Sequence, residues 1–484
     1  MSNFSKYLEL SIINSGMTEK QLAKISGFTR SYIALMKNGQ RVSPDVEKMT
    51  KLLQVLNLSP DEYDSLWAEY IRARIGNDVY ERTVAVLDFI HSFNSVSNAV
   101  IRARCYHELL ELQRIDNRLD MEYLIRAVIE NESMKENGYV HIIMQGSDNV
   151  LPRILPAICR KNKKLRVDHI VCMEKYAVSS MDNNQLYNVK MLKEIIPIVV
   201  FSNSLNYKVH YYYDHVASRF NSGMLLPYMI LTSECLLSIN ADMKNGILTK
   251  EQKTRQLYEE MFQNHKKHCR EMFEYTEGLE EVMTYFAQKE DKEKITYSLA
   301  AQPCFGVVRV VGLIRKYCKI TDENIISRLE ENLKKNEHWI SNEDNIHISY
   351  CCKSGLERFA REGIVDELPR EIYTPLSVRD RKRILQMLLE RIDDSSYELY
   401  LLDENTIQLP KELIITVYGI SNVLLLYLSE YDNSRIVLRE GSMMRLLYEA
   451  FQNLMKNPLV STKEEAKIYV SELIMSLGEE PQNN

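Results

Sequence analysis

Apolar residues recur every three or four positions through the first part of the chain, and short polar stretches interrupt them. Phe4, Leu8 and Ile12 would lie on one face of a first helix, which a glycine ends. Thr18, followed by Gln21 three residues later, has the spacing of a capping box, so a second helix is expected to begin there. The pattern predicts short helices separated by tight turns.

Three further helices follow, each with its own start signal. Gly27 provides a tight turn at a position where a side chain would clash or require a positive φ angle. Thr29 caps a third helix, residues 30–37, and Pro44 and Pro60 suit the first positions of a fourth and a fifth. The first 75 residues are therefore predicted to form an all-α domain.

The segment MTEKQLAKISGFTRSYIALMKNGQRVSPDVEKMTKLLQVLNLS, residues 17–59, resembles the Cro/repressor-type (XRE family) helix-turn-helix of bacterial transcriptional regulators. Its caps, small residues and interior positions fall in the order that this family uses, over about one seventh of the chain. The resemblance implies that the second helix lies across the DNA backbone and that the third enters the major groove. It also implies a homodimer on paired half-sites.

The resemblance assigns the contacts with double-stranded DNA to the third helix and its surroundings. Ala34 and Leu35 occupy positions where the family usually has polar side chains. They would contact thymine methyl groups, or Leu35 would pack against the rest of the protein. The residues expected at base edges or phosphates are Thr29, Arg30, Ser31 and Tyr32, with Gln21, Lys37, Asn38 and Arg41 near the backbone.

A second pattern appears in the remaining residues, where similar segments occur twice. RQLYEEMFQNHKK begins at Arg255 and RLLYEAFQNLMKN at Arg445, and each follows a predicted helix, a tyrosine-containing strand and two more strands. Upstream, VHIIMQGSDNVL from Val140 parallels IHISYCCKSGLERF from Ile346. Strands that enter helices in this way predict an α/β (or α+β) body built from two similar repeats.

Such a duplicated unit is weakly similar to phospholipase D-like domains. The HxKxxxxD sequence of those enzymes is absent, because Met272 stands where His265 and Lys267 would require the acid. The expected fold class is multidomain. Its predicted parts are a helix-turn-helix domain (1–75), a helical connector (76–134), a first α/β repeat (135–270), a helical insert (271–339) and a second α/β repeat (340–484).

Charge and cysteine usage indicate the compartment. The net charge is −6, yet residues 1–41 hold six Lys/Arg and two acids while the remainder holds 55 and 65. A basic head on an acidic body suits one domain bound to DNA. No signal-peptide pattern and no run of 18 apolar residues occur, and the nine cysteines form no CxxC pair. We therefore expect a cytoplasmic protein with reduced thiols and no membrane association.

The sequence lacks the motifs of common catalytic and cofactor sites. It contains no GxG, GxxxxGK[ST], GxSxG or HExxH. His265, His268 and Cys269 could share a helix face, but without a matching ligand pattern they are more typical of a solvated basic helix end. We expect no catalytic residues, no metal and no cofactor.

Two strand-to-helix turns are the candidate effector sites. They contain Gly146, Ser147 and Asp148 in the first repeat and Lys353 and Ser354 in the second. Helix N-termini offer N–H groups and a positive dipole end to an anionic small molecule. The alternative is that these residues only cap the helices.

The function expected from these features is sequence-specific transcriptional regulation, with a body that binds an effector or dimerises. Two alternatives stay open. The body could be an enzyme with an unrecognised active site, which predicts converging titratable side chains in a cleft. The protein could instead be an interaction scaffold, which predicts no steep salt dependence of DNA affinity.

Overall fold

The computed structural model divides into two compact units. One comprises Met1–Val84 and Ala450–Ser461, and the other comprises Ala85–Glu449 and Thr462–Asn484. Among the helices that the structure describes, none is long and apolar enough to cross a membrane. The described residues are 2–97, 112–145, 150–162, 164–174, 184–201, 206–216, 225–277, 294–308, 311–340, 342, 344–368, 370–394, 396–404, 407, 409–419, 422–428, 433–457 and 460–477.

The N-terminal module consists of five helices that begin at side-chain caps. Thr18 and Ser59 each form a complete capping box, as the sequence predicts for Thr18. The inward faces of the helices share one core in which Phe4, Leu22 and Ile33 are buried. The helices are α1 (Asn3–Ser15), α2 (Glu19–Ser26), α3 (Arg30–Lys37), α4 (Val46–Gln54) and α5 (Pro60–Ile75).

Helix α4 begins two residues later than the Ser-Pro pair at 43–44 predicts. The N-cap is Asp45, whose Oδ1 accepts a hydrogen bond from the backbone N–H of Lys48 at 3.0 Å. Ser43 is buried, and its carbonyl accepts a hydrogen bond from the Tyr70 hydroxyl at 2.9 Å. Ser43 and Pro44 therefore lie before the helix, and the hydrogen bond joins their segment to α5.

The predicted helical connector, 76–134, contains two helices but also a strand. Its elements are α6 (Asn77–Ser97), β1 (Leu112–Ile115) and α7 (Arg118–Ser133). Strand β1 pairs antiparallel with Gly246–Thr249, more than a hundred residues away. Because β1 has only four residues, its sequence is too short to show a strand pattern, and only the pairing with this distant segment defines it.

The first sheet has eight strands in the order β1-β7-β6-β5-β2-β3-β4-β8. Its strands after β1 are β2 (Tyr139–Ile143), β3 (Arg166–Glu174), β4 (Tyr207–Asp214), β5 (Tyr228–Thr232), β6 (Leu236–Ile239), β7 (Gly246–Thr249) and β8 (Arg270–Glu271). Strands β2, β3 and β4 are parallel, and β5, β6 and β7 follow as an antiparallel meander. Its helices after α7 are α8 (Val150–Lys161), α9 (Asn184–Phe201) and α10 (Gln252–Lys266).

The second sheet has seven strands: β9 (Phe273–Glu277), β10 (Ile295–Ala300), β11 (Ile346–Cys352), β12 (Tyr397–Leu402), β13 (Leu413–Tyr418), β14 (Asn422–Leu428) and β15 (Asn433–Leu438). Their order is β12-β11-β10-β13-β14-β15-β9. Here β10, β11 and β12 are parallel, and β13 to β15 form the meander. The accompanying helices are α11 (Val311–Tyr317), α12 (Glu323–Ile340), α13 (Lys353–Glu362), α14 (Val378–Ile392), α15 (Gly441–Leu454) and α16 (Lys463–Ser476).

Both sheets therefore use the same connections, with β10 in the position of β2, β11 in that of β3 and β9 in that of β1. In the sheet order, the strand equivalent to β2 is β10. The sequence comparison instead paired Val140 on β2 with Ile346 on β11, so its alignment of the two repeats was wrong by one strand. The segment 271–339, predicted as a helical insert, supplies β9 and β10 as well as α11 and α12. Strand β10 is buried on both faces after its first residue, so it shows no polar alternation by which to recognise it.

The body is an α/β structure with mixed parallel and antiparallel sheets, and the module that precedes it is all-α. The eight cysteines in the described part of the chain are free thiols.

Candidate DNA-binding interface

Helices α2 and α3 have the local geometry that their sequence predicts. The Gln21 Oε1 atom accepts hydrogen bonds from the backbone N–H of Thr18 at 2.9 Å and from its hydroxyl at 2.8 Å. Gln21 is exposed, but its carbonyl oxygen is occupied by this capping box. Only its amide N–H groups are then left for the DNA backbone.

The turn between the two helices depends on Gly27. Its φ angle is +75°, in the left-handed region, and its N–H bonds to the carbonyl of Ala23. The three atoms nearest to a Cβ atom here are aliphatic carbons of Lys48, at 3.6 Å or more. Backbone conformation, and not crowding, is therefore the reason for glycine at this position.

Helix α3 presents one face to the core and another to solvent. The Thr29 hydroxyl caps it by accepting a hydrogen bond from the N–H of Tyr32 at 3.2 Å. Ile33 and Met36 are completely buried, so the opposite side carries the exposed Arg30 and Ser31. Ala34 and Leu35 are half-buried on the same short helix.

Tyr32 differs from its neighbours because it is half-buried. Its ring stacks on Phe28, with ring centroids 5.3 Å apart and an interplanar angle of 2°. Both rings also pack against the core of the module. The aromatic face of Tyr32 is thus engaged within the protein, and its exposed part is smaller than the sequence alone suggests.

The chain leaves α3 in a tight turn that keeps two of the predicted contact residues exposed. Asn38 is the C-cap, and Gly39 follows with a φ angle of +71°. The backbone N–H groups of Gln40 and Arg41 both donate to the carbonyl of Leu35, at 2.9 and 3.3 Å. Asn38 and Arg41 are exposed beside the end of α3, where the resemblance places backbone contacts.

One residue of this surface is absent from the predicted set. Glu19, the first residue of α2, accepts hydrogen bonds from Lys37 Nζ at 3.1 Å and from Arg30 Nε at 3.5 Å. The hydrogen bond from Lys37 holds the pKa of Glu19 below its ordinary value. Arg30 and Lys37 lie 11 and 18 positions after Glu19 in the sequence, so no local spacing rule relates them to it.

Comparison with known proteins supports the helix-turn-helix assignment of the N-terminal module. Residues 12–63 match the helix-turn-helix family (HTH_3). The chain therefore contains an XRE-type helix-turn-helix domain. The presence of this domain supports the interpretation of the protein as a DNA-binding regulator. No curated protein matches the sequence.

Two of the solved structures that match the chain each share 8% sequence identity with it. One is a phosphatidylserine synthase from Haemophilus influenzae Rd KW20, with a TM-score of 0.24, covering 80% of this chain and 97% of that one. Another is TrmBL2, an archaeal chromatin protein with a novel mode of DNA binding, with a TM-score of 0.21, covering 44% and 72%.

The two predicted effector turns fare differently. Gly146, Ser147 and Asp148 lie outside the described residues. At the other turn, the N–H of Ser354 donates to Glu404 Oε2 at 3.0 Å, and the Ser354 hydroxyl bonds to the same carboxylate. Lys353 Nζ lies over the ring of Tyr469, 5.1 Å from its centroid. A carboxylate of the protein thus occupies the place where an anionic effector would bind.

A different group of polar residues lies at the carboxyl ends of the parallel strands of the first sheet. Gln145 lies two residues beyond the end of β2 and is buried. Its Oε1 accepts hydrogen bonds from the N–H of Cys172 at 3.2 Å and from the Tyr187 hydroxyl at 2.8 Å. Its Nε2 has no hydrogen-bond partner in the described part of the chain. Glu174, at the end of β3, contacts His215 Nδ1 at 3.1 Å. Sequence spacing could not bring these residues together, because they come from three strands and a helix.

Another histidine of the first sheet, His210 on β4, takes part in packing and in an ion pair. His210 is buried and bonds to Asp168 at 3.0 Å, and Lys266 Nζ bonds to the same carboxylate at 2.6 Å. Burial raises the pKa of Cys269 to about 11, so its thiol stays protonated. Within the described ranges, no group of three or more potential metal ligands occurs.

Proposed function

We propose that this protein is a cytoplasmic transcriptional regulator that binds a pseudo-palindromic operator as a homodimer. Its body is a non-enzymatic part that binds an effector and sets the spacing of the two DNA-binding modules. The proposal extends the helix-turn-helix assignment to sequence specificity, dimerisation and effector control.

The observation that carries the proposal is the exposed face of α3. The Thr29 cap and the buried Ile33 and Met36 fix the orientation of the helix, so that Arg30 and Ser31 point away from the core. Arginine is the side chain best suited to bidentate contact with guanine in the major groove. The basic character of residues 1–41 would add attraction to phosphates.

The experiment selects duplexes from a random-sequence library with the full-length protein and then measures affinity at several salt concentrations. We expect enriched sequences with two related half-sites about one helical turn apart, and affinity that falls steeply as salt rises. Arg30→Ala should weaken binding to the enriched duplex roughly tenfold and relax the preference at one base position.

Lys6→Ala is the matched control, because Lys6 is exposed on α1 and its loss removes the same charge. It should reduce affinity for all sequences by less than Arg30→Ala does. Absence of salt-dependent binding to any duplex would contradict the proposal, and a single half-site in the enriched sequences would contradict dimeric binding.

The effector part of the proposal rests on Gln145. Ligands of open α/β sheets bind beyond the carboxyl ends of the strands, and the Gln145 amide offers a donor there to a small molecule with a hydrogen-bond acceptor. A metabolite library would be screened by thermal shift against the wild type and Gln145→Met. A compound that raises the melting temperature of the wild type alone supports this site, whereas equal stabilisation of both places the effector elsewhere.

A further inference from the structure

We propose that Glu19 is a specificity-determining residue of the DNA-binding module, acting by holding the cations of the recognition helix. It would suppress binding to DNA of arbitrary sequence while keeping Arg30 in place for the correct base. This inference rests on the proposed function. It goes beyond it by assigning discrimination to a carboxylate that makes no attractive contact with phosphate.

The geometry places one acid between two cations of α3. Glu19 Oε1 receives Lys37 Nζ at 3.1 Å, and Glu19 Oε2 receives Arg30 Nε at 3.5 Å. The side chains of Glu19 and Lys37 are only 25% and 21% exposed, whereas that of Arg30 is 74% exposed. The Glu19–Lys37 contact is therefore the more sheltered of the two, and Arg30 is held at one nitrogen with the rest of its guanidinium in solvent.

This arrangement has opposite consequences for two kinds of DNA complex. Binding to arbitrary sequence depends on cations that neutralise phosphates and release counterions. A carboxylate on the same surface withdraws Lys37 and part of Arg30 from that role and repels the phosphates itself. Base readout depends instead on a guanidinium fixed in direction, and an acceptor at Nε leaves the two terminal nitrogens for the base edge.

The composition of the module makes the position of Glu19 notable. It is one of only two acids among residues 1–41, the other being Glu9 on α1. The hydrogen bond from Lys37 lowers the pKa of Glu19, so its carboxylate is charged at neutral pH. The negative charge is thus present whenever the protein meets DNA.

The test compares full-length wild type with Glu19→Gln on two duplexes, one enriched by the wild type from a random library and one of arbitrary sequence. For the arbitrary duplex we expect affinity to rise roughly three- to tenfold and the log–log salt slope to steepen by about 1–2, one step per freed cation. Affinity for the enriched duplex should rise less or fall. The ratio of the two affinities therefore decreases.

Glu9→Gln provides the matched control, because it removes the same charge from the same module away from α3. It should leave the affinity ratio unchanged. In the Arg30→Gln/Lys37→Gln background, Glu19→Gln should have no further effect on the ratio, since Glu19 acts through those cations. Thermal unfolding of each variant shows whether it is folded, and Glu19→Asp, which keeps the charge, replaces Glu19→Gln if that variant is unstable, with an intermediate ratio expected.

The outcomes separate the two proposals. A wild type that binds no duplex in a salt-dependent way overturns the proposed function and this inference together. A wild type that binds its enriched duplex, with Glu19→Gln leaving the affinity ratio unchanged or matching Glu9→Gln, overturns only the role of Glu19. A change in stability without a change in ratio would show that Glu19 serves merely as a tie between α2 and α3.

Discussion

The two sheets of the body have the same strand order but differ at the carboxyl ends of their parallel strands. Gln302 follows β10 as Gln145 follows β2, and both side chains are 2% exposed. The Gln302 amide is bonded at both ends: its Nε2 donates to the carbonyl of Ile364, and its Oε1 accepts from the N–H of Asp366, both at 3.0 Å. In the first sheet the Nε2 of Gln145 has no partner in the part of the chain that is described.

The difference shows that a shared topology does not imply the same hydrogen bonding at equivalent positions. A buried amide with both ends bonded stabilises one conformation, and here it ties the loop after α13 to the end of β10. A buried donor without an acceptor costs free energy, and such sites are retained where a ligand or water completes them. The second sheet thus has an edge closed by its own glutamine, whereas at the corresponding edge of the first sheet the Gln145 amide keeps a donor with no partner among the described residues.

The largest effect is expected where α13 approaches β10. A Cβ atom on Gly355 would lie 1.8 Å from the carbonyl oxygen of Ala301, so Gly355→Ala must displace backbone. We expect a loss of about 3 kcal/mol in the stability of the second sheet. Hydrogen exchange of peptides from β10 and α13 measures it, and Gly312→Ala, where nothing lies within 4 Å, is the control. Unchanged exchange in Gly355→Ala would contradict the close approach of α13 to the end of β10.

Acidification should weaken the first sheet through His169. Burial lowers the pKa of His169 on β3 to about 4, and its neutral ring bonds to the Met144 carbonyl at 2.9 Å and the Tyr207 hydroxyl at 3.0 Å. The unfolded chain binds the proton more readily, so this contribution is complete above pH 6.5 and is lost as the pH falls towards 4. The loss is about 3 kcal/mol. Urea unfolding of wild type and His169→Gln at several pH values measures this loss. If the free energy of unfolding fell equally with pH in both proteins, the assignment to His169 would be contradicted.

The two glutamines themselves give an intermediate effect. Gln302→Met leaves the Ile364 carbonyl and the Asp366 N–H without partners and should cost about 2–3 kcal/mol. Gln145→Met loses two acceptor contacts but also removes the unpartnered donor, so a cost of about 1 kcal/mol is expected. Chemical unfolding of the two variants tests the difference. Equal costs would show that the edges are equivalent after all.

The smallest effect is expected at the N-terminus of α13. Glu404→Gln keeps an acceptor for the Ser354 N–H but removes the charge that faces the helix dipole. A loss of about 0.5 kcal/mol, reduced by salt, is expected. Thermal unfolding at low and high salt measures it. If the variant instead gains affinity for sulfate at this turn, the predicted effector role of Ser354 would be favoured.

Several features of the DNA-binding module could be predicted because their causes are local. The capping box of Thr18 and Gln21, the positive φ of Gly27 and the buried positions of Ile33 and Met36 each involve residues no more than four apart. Glu19 was missed because its partners lie on another helix. Tyr32 was assigned to the DNA, and only the folded module shows that its ring stacks on Phe28.

The body was harder to predict because its strands are defined by distant partners. Buried strands such as β10 have no alternation, and the short β1 acquires its identity only through β7. Segment similarity identified the helices α10 and α15 and the strands before them, but it paired β2 with β11. Registers between strands are set by contacts across the sheet, and a sequence read along the chain does not contain them.

Residue patterns along the chain are sufficient to predict the helix-turn-helix and its caps, the α/β character of the body and the basic charge of the N-terminal module. These follow from short-range periodicity, hydrogen bonding within a turn, and composition. Only the packing of distant elements determines which carboxylate holds Arg30 and Lys37, and which of two buried glutamines has an amide nitrogen with no partner in the described part of the chain. Those properties depend on which groups meet after distant elements pack, and packing is where the electrostatics of a site are set.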